Sequence, residues 1–171
     1  MGSSLKGALN AYSLIIASPE KVSDLFGYLG LESRVYFRDA IVSGEYSILK
    51  LGRQWRPRKS CGGIKVYTSN NPQYTSEEIY FEAIPKGKTF TPEIVLNGDE
   101  NDLQLLIAAM GAKKYGIKIG RGKDRGYGIV KLVNLDVSPF VGSKIEISNI
   151  ITEAQQLIER RWNDVRPAFF S

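Results

Sequence analysis

Asp99, Glu100, Asn101 and Asp102 stand directly before Leu103, Leu105, Leu106, Ile107 and Met110. Carboxylates favour the positive end of a helix, so the block marks a helix start. The residues that follow are too apolar to face water, so this helix must be buried. A buried helix needs a second layer, and the flanking segments offer one. Residues 78–83 and 89–96 read as strands joined by a Pro85-Lys86-Gly87 turn, and 128–137 alternates as a further strand. The fold class this implies is α+β, with helices packed on one face of an antiparallel sheet.

The remaining segments fit that class. Ser3 or Ser4 can cap a short helix through residue 16 with Leu5, Leu9 and Tyr12 on one face. Ser18-Pro19-Glu20 opens a second helix, with the stripe Val22, Leu25, Phe26 and Leu29 and a stop at Gly30. Residues 34–42 and 46–51 look extended, and 64–68 alternate like one arm of a hairpin. Residues 149–162 form an amphipathic helix through Ile150, Ile151, Ala154, Leu157, Ile158 and Trp162. The order suits one domain over residues 1–171. It resembles a ferredoxin-like (RRM-like) βαββαβ unit without its first strand.

The 171 residues contain no histidine and one cysteine, Cys61. That removes the commonest general base, the histidine-dependent nucleophile pairs and an internal disulfide. Chemistry here would run on carboxylates, lysine, tyrosine or an oxygen-held metal. We assign no catalytic residue, metal ligand or cofactor. No apolar run reaches the length of a membrane span and no signal peptide is evident, so a cytoplasmic protein is expected.

The net charge is +5, and it is unevenly spread. Residues 50–66 carry Lys50, Arg53, Arg56, Arg58, Lys59 and Lys65 without an acid, giving +6. Residues 113–131 carry Lys113, Lys114, Lys118, Arg121, Lys123, Arg125 and Lys131 against Asp124, giving 7 − 1 = +6. The rest of the chain is then 5 − 12 = −7. One such window is ordinarily a solvated face; two windows that pair arginine with glycine favour a polyanion.

The second window holds Gly120-Arg121-Gly122-Lys123-Asp124-Arg125-Gly126-Tyr127-Gly128. It is not a dinucleotide fingerprint. Three residues separate its second and third glycines where two are needed, and the expected order runs from a helix into a strand rather than from a strand into a helix. Its chemistry still suits a phosphate chain: glycines admit a ligand to backbone N–H groups, Arg121, Lys123 and Arg125 add charge, and Tyr127 offers a stacking face. The alternative is a turn that only packs neighbouring elements. The first window lies in a polar stretch, 52–76, too long for an ordinary connector. Within it Trp55 is either a stacking platform or loop packing.

This glycine loop resembles that of the RAMP superfamily, which joins the last helix to the last strand of a ferredoxin-like fold. Three further pieces follow the same order. Gly2-Ser3-Ser4-Leu5-Lys6-Gly7 is similar to the serine-lysine-glycine helix start of backbone subunits of type III CRISPR complexes. Ser33-Arg34-Val35-Tyr36-Phe37-Arg38-Asp39-Ala40 resembles their serine-arginine, phenylalanine-x-aspartate strand, and Ile84–Phe90 resembles their turn before the penultimate strand.

The resemblance implies a subunit that stacks in several copies along a guide CRISPR RNA, beside other effector subunits and a target RNA. Ser3, Ser4 and Lys6 would meet phosphates, as would Gly120, Arg121, Gly122, Lys123, Arg125, Gly126, Tyr127 and Gly128. The excursion at 52–76 would be the family's thumb, with Arg53, Trp55, Arg56, Arg58 and Lys59 on the duplex. The family's first strand and the following loop, which bears the cleaving aspartate of some members, have no counterpart here. The strand is expected from residues 137–149, from a neighbouring subunit, or not at all. Asp39 reads as structural, beside Arg34 and Arg38, and Asp124 as organising its neighbouring arginines. A RAMP endoribonuclease and a protein-interaction module are the competing functions.

Overall fold

A computed structural model describes residues 2–40, 42, 46–51, 59–60, 63–64, 79–120, 126–138 and 146–170. They form two units: residues 1–41 with 91–171, and residues 42–90.

The first unit is built on helix α1, Gly2–Ile16. Leu5, Ala8, Leu9, Tyr12, Ser13 and Ile16 are buried, which is the expected face with a wider stripe. The helix begins before Ser3, so Ser3 and Ser4 sit inside its first turn rather than at a cap. Helix α2, Pro19–Phe26, starts as its sequence implies: Ser18 Oγ accepts from Lys21 N at 3.4 Å, with proline in the first turn. Its end differs from expectation. It stops at Gly27, whose φ is +78°, not at Gly30, and Leu29 is 98% exposed rather than part of the buried stripe. The cause is tertiary. A Cβ on Gly27 would lie 2.8 Å from both Leu31 O and Ser33 N, so the chain folds back tightly over this position.

Strand β1, Val35–Phe37, is shorter than the extended stretch suggested. It packs against α1, with Val35 buried and Tyr36 exposed on the opposite face. It pairs antiparallel with Ile94–Leu96, in the register Tyr36↔Val95. The next helix, Glu100–Ala109, has a capping box: Asp99 Oδ1 accepts from Asp102 N at 2.9 Å, and Asp102 Oδ2 accepts from Asp99 N at 3.3 Å. Leu105, Leu106 and Ile107 are buried in it, as the apolar run after the Asp99–Asp102 block implies. The helix packs on α1 and on a later helix, Ile147–Arg160. There Ile150, Ala154 and Ile158 are buried, and a separate short turn, Trp162–Val165, follows.

In the second unit Ser47–Leu51 pairs antiparallel with Ile79–Ala83, and Lys59–Ser60 with Gly63–Ile64. In chain order the strands are therefore β1 (35–37), β2 (47–51), β3 (59–60), β4 (63–64), β5 (79–83), β6 (94–96), β7 (Gly116–Lys118) and β8 (Ile129–Lys131). The helices are α1, α2, α3 (100–109), α4 (147–160) and α5 (162–165). The Pro85 turn forms, with Lys88 N donating to Pro85 O at 3.4 Å and Gly87 at φ +88°. It does not close a hairpin of its neighbours: β5 pairs with β2 and β6 with β1.

Strands β7 and β8 form a further antiparallel ladder of the first unit. The outer edge of β7 is covered. Gly116 exchanges both backbone hydrogen bonds with Phe170, and Lys118 N donates to Tyr12 Oη at 2.9 Å. That hydroxyl donates in turn to Ala168 O at 2.8 Å. Phe170 lies near the C-terminal end; of the segment 137–149, expected as one source of the missing strand, residues 137–138 form no strand and 139–145 lie outside the described residues. Strand β8 is also shorter than expected, because residues 132–138 leave the ladder. The described residues thus form an α+β fold of helices with small antiparallel ladders.

Candidate nucleic-acid interface

The glycine loop is the connection of a hairpin. Its first flank is β7, not a helix, which corrects the order expected from sequence. Three residues are too short a run to show alternation, and α3 ends seven residues earlier. The pair is closed by Ile119 N donating to Gly128 O at 2.9 Å. A Cβ on Gly128 would stand 2.0 Å from Ile119 O, and its φ of +76° is one that L side chains avoid. Gly120 and Gly126, at +77° and +82°, have open space where a side chain would go. The first and last parts of the loop are thus built by glycine for different reasons: close strand approach at Gly128, backbone turning at Gly120 and Gly126. Tyr127 is 38% exposed. Arg121, Gly122, Lys123, Asp124 and Arg125 lie outside the described residues.

Lys6 projects from α1 to Ser33, with Nζ to Oγ at 2.9 Å. The Ser33 hydroxyl donates to Val35 O at 2.8 Å and accepts from Val35 N at 3.4 Å, so it caps the outer edge of β1. The serine-lysine start and the serine-arginine strand are therefore joined directly. Sequence reading placed both motifs but not this contact.

Arg34 is a second junction the sequence did not reveal. Its guanidinium bonds Asp102 Oδ2 at 2.8 Å and Asn97 O at 3.2 Å, and also pairs with the Asp24 carboxylate. Asp24 lies in α2, Asp102 in α3 and Arg34 in the bend before β1; the sequence placed Asp39 beside this arginine and did not foretell its bonds to Asp24 and Asp102. The Asp102 hydrogen bond, foremost, holds the Arg34 guanidinium above its already high pKa. Arg38 pairs with Glu93 at 3.0 Å across β1 and β6.

Arg53, Trp55, Arg56 and Arg58 lie outside the described residues, and Lys59 is placed only as the first residue of β3. What the structure brings together is therefore α1 with the Ser33-Arg34 strand start, and separately the two ends of the glycine loop.

The sequence matches the family model of the RAMP superfamily over residues 1–131. The chain belongs to the RAMP superfamily. The matched span runs from the start of α1 to the end of β8, so it contains the helix start, the Ser33-Arg34 strand and the glycine hairpin. Membership of the RAMP superfamily carries CRISPR-associated RNA binding with it. No curated protein matches the chain. Among the described residues, no helix is long and apolar enough to cross a membrane.

Proposed function

We propose that this RAMP protein is a backbone-type subunit of a type III CRISPR effector in the cytoplasm, holding guide RNA by its phosphates. The observation that carries the reading is a strand-closed glycine hairpin that bears Arg121, Lys123 and Arg125 inside the family match. Phosphate binding wants backbone N–H groups free of side-chain cover and cations beside them. Lys6 supports it from α1: Ser33 takes one of the three ammonium donors, and the others suit a phosphate. Ser3 and Ser4 sit in the same first turn, where N–H groups have no intrahelical acceptor. The excursion at 52–76, with Arg53, Trp55, Arg56, Arg58 and Lys59, is the thumb on this reading, an insertion in one RAMP-like domain that meets guide and target RNA. Other effector subunits and further copies of the chain are its protein partners. Strand β6 pairs only with β1 among the described residues, and its outer edge is where the family's first strand would add.

The test is to co-express the chain with its operon neighbours, purify the assembly and sequence the RNA it carries. Short RNAs with CRISPR repeat tags are expected. Random cellular fragments, or none, would refute the guide-holding role. Salt titration of the same assembly should be steep: three loop cations each on a single-strand phosphate contribute a log–log slope of about −2. Replacing Arg121, Lys123 and Arg125 by alanine should flatten it by about that amount.

A further inference from the structure

The outer face of the β7–β8 ladder gathers two lysines around an aromatic ring that comes from the C-terminal tail. Alternation fixes the sides: Ile117 is 2% exposed and faces the core, so its neighbours Gly116 and Lys118 face out. The register sets Lys131 opposite Gly116 and Ile129 opposite Lys118 on that same face. Gly116 also exchanges both backbone hydrogen bonds with Phe170, which brings the Phe170 side chain to this side. A Cβ on Gly116 would stand 3.5 Å from Phe170 Cβ and 3.1 Å from Ile129 Cγ2, so these two side chains close over the ground that a side chain at 116 would need. The Lys118 ammonium lies 4.6 Å from the centre of the Phe170 ring. Cation–π attraction gives a long, flexible lysine a preferred place. A cation already held in place gives up less side-chain freedom when it grips a ligand. None of the paired residues of the ladder is acidic, and Lys131 is exposed. Lys118 is two residues, about 7 Å of strand, from Gly120, where the glycine loop starts. Phe170 lies beyond residues 1–131, so the family match does not contain this contact.

We infer that Lys118 and Lys131 extend the phosphate grip of the glycine hairpin onto the outer face of β7 and β8, with Phe170 as the positioning residue for Lys118. This rests on the RNA-holding reading above and adds to it residues of the ladder and the tail. The test is binding of a fluorescein-labelled oligouridine to the full chain, followed by anisotropy across a range of salt concentrations. Lys118→Gln and Lys131→Gln are each expected to flatten the log–log slope by about 0.7, one single-strand phosphate apiece, which at physiological salt is roughly a fourfold loss of affinity. Phe170→Leu keeps an apolar side chain beside Gly116 and removes the ring, and should weaken binding by about two- to fivefold. Phe170→Tyr, which keeps the ring, should bind like wild type. In the Lys118→Gln background Phe170→Leu should cost nothing further, because its effect passes through that lysine. A ring that served packing alone would lower affinity equally in both backgrounds, and that result would overturn the positioning role. An unchanged slope in either lysine variant would overturn the inference, as would a wild-type chain that does not bind the oligouridine. Guide-RNA capture by the co-expressed assembly is read separately: repeat-tagged RNA in the assembly with unchanged lysine slopes refutes this inference alone, and an assembly without such RNA refutes the guide-holding role.

Discussion

Replacing Tyr12 by phenylalanine removes one oxygen atom and tests how the first unit is fastened. That oxygen joins three parts of the chain: α1, the outer edge of β7 through Lys118 N, and the C-terminal tail through Ala168 O. The ring keeps its packing in the variant, since its tilted contact with Phe169, 5.1 Å between centroids, needs no hydroxyl. Two hydrogen bonds are lost at about 0.5–1.5 kcal/mol each. The Lys118 amide is also left facing an apolar ring, a penalty of about 1–3 kcal/mol where water does not enter. We expect a total of about 2–6 kcal/mol, which for a chain of this size lowers the melting temperature by roughly 4–24 °C. Urea unfolding followed by far-UV circular dichroism should show a lower midpoint with an unchanged slope. The alkaline limb offers a second signature. Burial raises the Tyr12 pKa, outweighing the Lys118 amide, which favours the phenolate. The folded state thus holds this proton more tightly than the unfolded one. Its contribution is complete below about pH 10 and is lost as pH rises further, and Tyr12→Phe should lack that component. A stability change under about 0.5 kcal/mol would show that the hydroxyl is not a fastening.

Two glycines of the hairpin should separate strain from space. Gly128→Ala is expected to cost about 2–3 kcal/mol, from left-handed strain plus loss of the Ile119–Gly128 bond, and to weaken RNA capture. Gly120→Ala, with open space around it, should cost only about 1 kcal/mol, and thermal melts of the two variants check the order. Asp102→Ala should cost about 2–3 kcal/mol by removing both a capping-box acceptor and the buried partner of Arg34, with Asp102→Asn intermediate in urea unfolding. Asp99 is held below the usual carboxylate range chiefly by the Asp102 amide. Its contribution is present above about pH 4 and lost as pH falls below it, so Asp99→Asn should lessen the fall in melting temperature between about pH 5 and 3.

Local chemistry was readable in advance. Ser18-Pro19-Glu20 and the Asp99–Asp102 block each carry their own caps, and both helices start where those residues predict. Ends set by distant groups were not. Gly27 and Gly30 look alike in sequence, and only the approach of Leu31 O and Ser33 N makes Gly27 the terminator. Strand β7 was hidden for the same reason, because its pairing reaches across the loop to β8 and to Phe170. The motifs of the candidate site could be placed in order along the chain, whereas the Lys6–Ser33 bond spans 27 positions and the Arg34–Asp102 bond 68, beyond the reach of spacing rules.

The junction of Arg38 and Glu93 bears on how this chain tolerates change. Arg38 N donates to Glu93 O at 3.0 Å and their side chains pair, so the two strands that lead out to residues 42–90 and back are hydrogen-bonded neighbours at the point of exit. Neighbouring strands lie only about 5 Å apart, a gap that a two-residue turn can close. The gap between β1 and β6 therefore sets no minimum length for residues 42–90 beyond that of a short turn. This is an architecture in which the excursion can diversify quickly while the helices and ladders of the first unit stay under the stricter discipline of packing.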